Sequence, residues 1–220
     1  MRCAVLLCGC GHIDGSEINE SVLSLLELDR MGVQAVCCAC DAEQIDVINH
    51  RTKEKEQGKR RILDESARIS RGRVEDVQSI SPSNFDMLLL PGGLGVAKNY
   101  SNILESGDKV EVKREVKELI LGFYQAKKVI GAVCISPALV AASLSEVVNT
   151  RVTLGDDTNE IIKRCGGTHV YSDTDGFCVD TVAGVFSCSA YMRDESLHRV
   201  HLGIRKMVEA MVDRVKNGRN

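Results

Sequence analysis

The chain has 220 residues, 28 Lys plus Arg against 31 Asp plus Glu, 44% hydrophobic and 27% charged residues, and no Trp. This balance excludes disordered, collagenous and fibrous classes, and the length is enough for one domain, residues 1–220, with a full core. A formal net charge of -3 supplies no field that would draw the chain to nucleic acid or to an anionic membrane, so function must rest on a local site, with small-molecule chemistry as the default.

Apolar runs of strand length alternate with amphipathic segments, the pattern of an α/β domain whose mostly parallel central sheet carries helices on both faces. Residues 2–8 read as the first strand, because the N-terminus has one Arg, only a short apolar stretch and no small-residue cleavage pattern of a signal peptide. Asp14 followed by Glu17 resembles a capping box, and Ile18, Val22, Leu25 and Leu26 then recur at helical spacing until Gly32 stops the helix. Residues 33–39 form the next strand and complete a βαβ unit. Residues 51–61 mix Lys, Arg and Glu around Gly58 and read as a solvated loop or frayed helix.

Residues 86–90 are apolar almost throughout, as in a strand buried on both faces, and residues 129–133 read the same way. Val112, Val116, Leu119, Ile120 and Phe123 form one helical core stripe, and Leu197, Val200, Ile204, Met207, Met211 and Val215 another. Residues 168–171, 177–180 and 185–188 read as short late strands, antiparallel in character. The longest uncharged stretch, residues 129–145, contains Pro137 and falls short of the roughly 20 apolar residues a bilayer needs, so no membrane span is expected. The ten cysteines lie within apolar runs and read as reduced thiols in a reducing compartment, the cytoplasm.

Three loops follow strands and would emerge at the carboxyl ends of a parallel sheet, where such folds bind ligands. Cys134 directly follows a β-rich run, and Pro137 suits the first turn of a helix, so the thiol falls on a strand-to-helix turn, the geometry of a nucleophile elbow. A helix N-terminus there favours thiolate; lowering the pKa from roughly 8.5 to about 6 would raise the thiolate share at neutral pH from a few per cent to about nine tenths. Gly92 and Gly93, after the strand at 86–90, let backbone N–H groups approach a ligand and supply an oxyanion hole. Glu20 lies one turn into the first helix, where an inward carboxyl shares or shuttles a proton with the thiol, while Glu17 is accounted for as the capping-box residue.

Gly9 and Gly11 are followed by Asp14 where a dinucleotide fingerprint has its third Gly, which sets nicotinamide chemistry aside. Cys37, Cys38 and Cys40 alternate between strand faces without a second Cys or His pair, so they read as buried thiols; neither metal nor cofactor is expected. His50, His169, His198 and His201 read as surface or satisfied residues, leaving His12 as the histidine candidate for catalysis.

An early Glu on the first helix, a Pro-Gly-Gly loop and a Cys elbow together resemble the PfpI and Parkinsonism-associated deglycase superfamily, whose domain is class I glutamine-amidotransferase-like. Gly9-Cys10-Gly11, Asp14-Gly15-Ser16-Glu17-Ile18, Val47-Ile48-Asn49-His50, Ala67-Arg68-Ile69, Pro91-Gly92-Gly93, Ala97-Lys98-Asn99 and Cys134-Ile135 with Pro137 resemble its ElbB branch, the isoprenoid-biosynthesis or sigma cross-reacting proteins. The resemblance implies a flavodoxin-like three-layer domain, usually a homodimer, with Cys134 as nucleophile and Glu20 as its carboxyl partner. It also implies that Gly92, Gly93, Ile135 and Asn99 face a small aldehyde such as glyoxal or methylglyoxal, and that the reaction is a glyoxalase one. The sequence departs from the pattern in four places, one being Cys134-Ile135-Ser136-Pro137 where the branch usually has Cys-Ile-Ala-Pro. Residues 151–156 lack the superfamily's histidine downstream of the elbow, Asn19 stands where the branch usually has His, and His12 stands where it normally has none.

Two rival readings accompany the enzyme. An amidase or glutaminase is less well supported, because that class completes its triad with a late His-x-Glu pair and the chain has no His-x-Glu. A non-enzymatic protein that senses oxidants through Cys134, or binds a metabolite and regulates a partner, is the alternative.

Overall fold

The computed structural model describes residues 1–105 and 110–218. Along the chain run β1 (Arg2–Leu6), α1 (Ile18–Arg30), β2 (Gln34–Ala39), α2 (Ile62–Ile69), β3 (Val74–Asp76), β4 (Met87–Leu90), α3 (Leu94–Asn99), α4 (Arg114–Gln125), β5 (Val129–Val133) and α5 (Ser136–Leu144). They are followed by β6 (Arg151–Val152), α6 (Ile161–Arg164), β7 (Thr168–His169), β8 (Cys178–Asp180), β9 (Val185–Cys188) and α7 (Leu197–Asn217). The central seven-stranded sheet has the order β3-β2-β1-β4-β5-β9-β8, and every pair in it is parallel except β8 with β9. It is the α/β sandwich that the alternating pattern predicts, in the flavodoxin-like form that the resemblance implies.

From β1 the chain winds outward to β2 and β3, then returns to place β4 on the other side. The reversal falls between β1 and β4, so the loops leaving their carboxyl ends part around a crevice. β4 and β5 are buried along their whole length, which explains their continuous apolarity. Every residue of α5 is buried as well, and its apolar and small side chains let it pass beneath the elbow without a wet face.

The two later stripes pack as read, with edge differences. Val116, Leu119, Ile120 and Phe123 are buried on α4, whereas Val112 precedes the helix and forms an isolated bridge with Ser101. Val200, Ile204, Met207 and Met211 are buried on α7, while Leu197 in its first turn is exposed and Val215 is half-buried. Residues 51–61 are mostly exposed, with isolated bridges from Lys55 to Ile48 and from Arg61 to Glu43.

The capping and late-strand readings need correction, and the rotation of α1 is fixed by the fold. Asp14 does not cap α1: Glu17 is the N-cap, its Oε2 accepting from Glu20 N–H at 2.6 Å, because Asp14, Gly15 and Ser16 are used in the preceding turn. In that turn Gly15 N–H donates to Gly11 O, and Asp14 Oδ2 accepts from Ile48 N–H at 2.7 Å. Ile18, Val22 and Leu26 face outward, and α1 instead buries Glu20, Ser21, Ser24, Glu27 and Leu28. The inward polar face is held by partners: Glu27 is bonded to Arg30 on its own helix and to His201 of α7. Of the late strands, β7 is only two residues and pairs in parallel with β6 in a separate small sheet, and β9 runs parallel to β5, so β8 alone is antiparallel in the central sheet.

Candidate active site

β5 stops at Val133 and α5 starts at Ser136, so Cys134 and Ile135 make the whole turn. Cys134 takes φ +60°, a left-handed conformation that costs a residue with a Cβ about 1–2 kcal/mol. Anchors on both sides hold it there. Cys134 N–H donates to Cys188 O at 2.9 Å, Ser136 Oγ–H donates to Pro91 O at 2.7 Å, and Pro137 fills the first turn of α5. The elbow is present as predicted.

The Pro91-Gly92-Gly93 loop lies against this thiol. A Cβ on Gly92 would strike Cys134 Cβ and come within 2.7 Å of Glu20 Oε2, and Gly93, at φ +108°, has Gly15 O where a Cβ would stand. Only glycines allow the loop to pass so close. Glu20 projects from α1 into the same spot and is wholly buried. Its Oε2 accepts from Gly92 N–H at 2.9 Å, its Oε1 accepts from Tyr191 N–H at 3.3 Å, and the carboxyl also hydrogen-bonds the Cys134 side chain.

Burial, followed by the nearby Glu17 charge, pushes the Glu20 carboxyl up to about 8. Burial also pushes the Cys134 thiol well above its ordinary value, with the Glu20 charge acting in the same direction; the N–H groups of Gly93 and Ile135, aimed at the sulfur, pull against both. The thiol lowered by a helix terminus is therefore corrected: desolvation outweighs the backbone donors. What the site contains is a buried, hydrogen-bonded acid pair, Glu20 with Cys134, whose titrations are coupled.

A cavity of about 660 Å³ opens over the pair. His12, Glu17, Asn19 and Tyr191 give it polar groups, while Leu94, Ile161 and Met192 are among its apolar walls. The predicted Cys134, Glu20, Glu17, His12, Gly93 and Ile135 are thus assembled in one place. Two others are employed differently. Gly92 N–H is committed to the Glu20 carboxyl and does not point at a substrate oxygen. Asn99 is outside the cavity lining; its Nδ2 donates to Asp14 O at 3.0 Å and its Oδ1 accepts from Ile45 N–H at 2.9 Å, tying two loops together. Tyr191 and Met192 were not legible as site residues, since no local motif marks a segment that reaches Glu20 across 171 positions.

All ten cysteines are unpaired, and no group of His, Cys, Asp or Glu with metal-binding geometry occurs among the described residues. No helix among them is long and apolar enough to cross a membrane.

A strained cysteine at the carboxyl edge of a parallel sheet, faced by a glycine loop and a buried glutamate, defines the class, and comparison with known proteins agrees. No family model matches the chain. A Homo sapiens protein described as "Glutamine amidotransferase-like class 1 domain-containing protein 3, mitochondrial" is 36% identical over 96% of this chain and 82% of its own length. The Rattus norvegicus "ES1 protein homolog, mitochondrial" is 35% identical over 96% of this chain and 83% of its own. The chain belongs to the glutamine amidotransferase-like class 1 family. Its branch is marked by a solved structure from Ehrlichia chaffeensis, an isoprenoid biosynthesis protein with an amidotransferase-like domain, with 49% identity, a TM-score of 0.93, and coverage of 97% of this chain and 98% of that one. Drosophila melanogaster DJ-1beta shares the fold at 17% identity, with a TM-score of 0.56 over 99% of this chain and 96% of its own.

Proposed function

We propose that the chain converts small 2-oxoaldehydes such as glyoxal and methylglyoxal to 2-hydroxy acids through the Cys134 thiol. The observation that carries this reading is the wholly buried Glu20 carboxyl hydrogen-bonded to the Cys134 thiol at the floor of an open cavity. With the proton on Glu20, the sulfur attacks the aldehyde carbon, and Glu20 protonates the resulting alkoxide to give a hemithioacetal. The Glu20 carboxylate then removes the hydrogen on that carbon as a proton and returns it to the neighbouring carbon. The hydroxyl proton passes from the first carbon's oxygen to the second's, so the first carbon is oxidised and the second reduced, leaving a thioester of the 2-hydroxy acid. Water cleaves the thioester and restores the thiol. The sum is 2-oxoaldehyde plus water to 2-hydroxy acid, with no external oxidant, metal or glutathione in the scheme.

Ten unpaired thiols favour a reducing compartment, and we place the chain in the cytoplasm on that ground, although the relatives described above are mitochondrial proteins by name. The decisive experiment quantifies the 2-hydroxy acid formed from methylglyoxal by metal-free, glutathione-free protein, beside Cys134→Ala and Glu20→Gln. Many turnovers in the wild type, abolished in both variants, are expected. Stoichiometric aldehyde loss without acid would reduce the activity to scavenging by thiols. Preferential peroxide oxidation of Cys134, seen by intact mass in a protein without turnover, would favour the sensing alternative.

A further inference from the structure

The last step of this scheme requires a base for water, and Glu20 is poorly placed to be that base. It lies beneath the sulfur, accepts two backbone N–H bonds and is sealed from solvent, whereas water reaches the thioester from the cavity side. Among the cavity's polar groups, Glu17 is occupied as the cap of α1, Asn19 does not titrate, and burial holds the Tyr191 hydroxyl in its protonated form. His12 remains. It is exposed at the cavity wall, and neither of its ring nitrogens has a hydrogen-bond partner among the described residues. Its backbone is fixed close to the thiol, since His12 O accepts from Leu94 N–H at 2.7 Å, one residue beyond the Gly93 N–H that faces the sulfur.

Behind His12 stands a second ring. His50 meets it edge to face, with centroids 5.2 Å apart and planes at 73°. His50 Nδ1–H donates to Ile48 O at 3.1 Å, which turns its Nε2 lone pair toward Ile13 N–H at 3.3 Å. Asp14 stands next to it: its Oδ1 is buried, has no hydrogen-bond partner among the described residues and lies 3.7 Å from His50 Nε2. The ring fits there only because residue 11 is glycine, at φ +131°, with the His50 ring where a Cβ would stand. Asp14 fixes this segment through its other oxygen: Oδ2 accepts from Ile48 N–H at 2.7 Å, two residues before the ring that supports His12.

We infer that His12 is the catalytic base for thioester hydrolysis, and that His50 and Asp14 are positioning residues that hold its ring over Cys134. The inference rests on the glyoxalase reading above. In the step itself, His12 takes one proton from water as the oxygen attacks the thioester carbon. The C–S bond breaks, its electron pair leaves on sulfur, and the proton passes through solvent to the Cys134–Glu20 pair. Desolvation and, next, His50 lower the His12 pKa, with Lys53 acting the same way and Asp14 opposing, so the imidazole is neutral when the thioester forms; Glu17 is the other charged group at the cavity. Neutral imidazole is the form a base requires.

The test is a single-turnover measurement on the full chain. Protein is mixed with methylglyoxal, and the Cys134 thioester is trapped with hydroxylamine at intervals. His12→Ala is expected to form the thioester normally but lose about a hundred-fold in its hydrolysis, the size of a general-base contribution, with recovery on adding imidazole. His12→Asn, which keeps a polar side chain, should behave like the alanine variant. His50→Gln removes the ring packed against His12, so thioester hydrolysis should slow while thioester formation keeps its wild-type rate, a split that a merely loosened structure would not produce. Hydrolysis in His12→Ala at the wild-type rate, or no response to imidazole, overturns the inference and leaves the glyoxalase reading standing. Failure of the wild type to form any Cys134 thioester overturns both.

Discussion

Glu20 and Cys134 illustrate how far a few neighbours can move the chemistry of a residue. With Glu20 up to about 8 and the thiol higher still, the pair holds two protons in acid and one at moderately alkaline pH. The first proton to leave frees the sulfur for attack, so reactivity should rise as pH increases through about 8. Iodoacetamide labelling of Cys134, read by peptide mass, is expected to follow that rise. Glu17→Gln keeps an oxygen for the Glu20 N–H but removes the charge that helps hold the Glu20 pKa up, so its profile should move to lower pH. Glu20→Gln should move the profile to higher pH, because burial still opposes the thiolate and no carboxyl shares the proton. An unchanged profile in both variants would mean that Glu20 does not govern the sulfur. In the sequence, Cys134 was recognisable from its strand-then-Pro setting and Glu20 from its place in a motif, but the value of neither group was. Proton affinity depends on the distance to other chains of the fold and on how much water they exclude.

At the scale of elements, α1 teaches the most. Its period was plain, since Ile18, Val22, Leu25 and Leu26 recur at helical spacing, yet a period does not say which face turns inward. The helix delivers Glu20 to Cys134, and this fixes its rotation. Ser21, Ser24 and Glu27 are carried inward with Glu20, and Glu27 finds Arg30 and His201. Ser24 is left wholly buried with no partner for its Oγ among the described residues. Ser24→Ala should therefore stabilise the protein by about 0.5–1 kcal/mol, through better helix propensity and loss of an unpaired buried hydroxyl. The denaturant midpoint reports it, and a lower midpoint than wild type would show that Oγ has a partner in solution. β4, β5 and the middle of α7 were easier to read, because residues buried on every side must be apolar whatever their rotation.

For the molecule as a whole, the outward turn of α1 leaves Ile18, Val22 and Leu26 each 45–51% exposed on one helix. We propose a homodimer, and this stripe is the surface on which to test it. Light scattering should give twice the chain mass for the wild type, and Val22→Lys should shift it toward the monomer; a wild type that is monomeric across micromolar concentrations would sink the proposal. Composition, alternating apolar runs and glycine-rich loops determined by themselves that this chain builds an α/β domain with a cysteine on a strand-to-helix turn, because local sterics and burial periodicity act over a few residues. Tertiary structure alone decided that Glu17 caps α1, that Gly92 serves Glu20, that Asn99 braces loops, and that Tyr191 and His12 line the cavity over the thiol with His50 behind His12. Those outcomes depend on contacts between segments far apart in the chain, and the free energy of such contacts is set by geometry that no stretch of sequence contains.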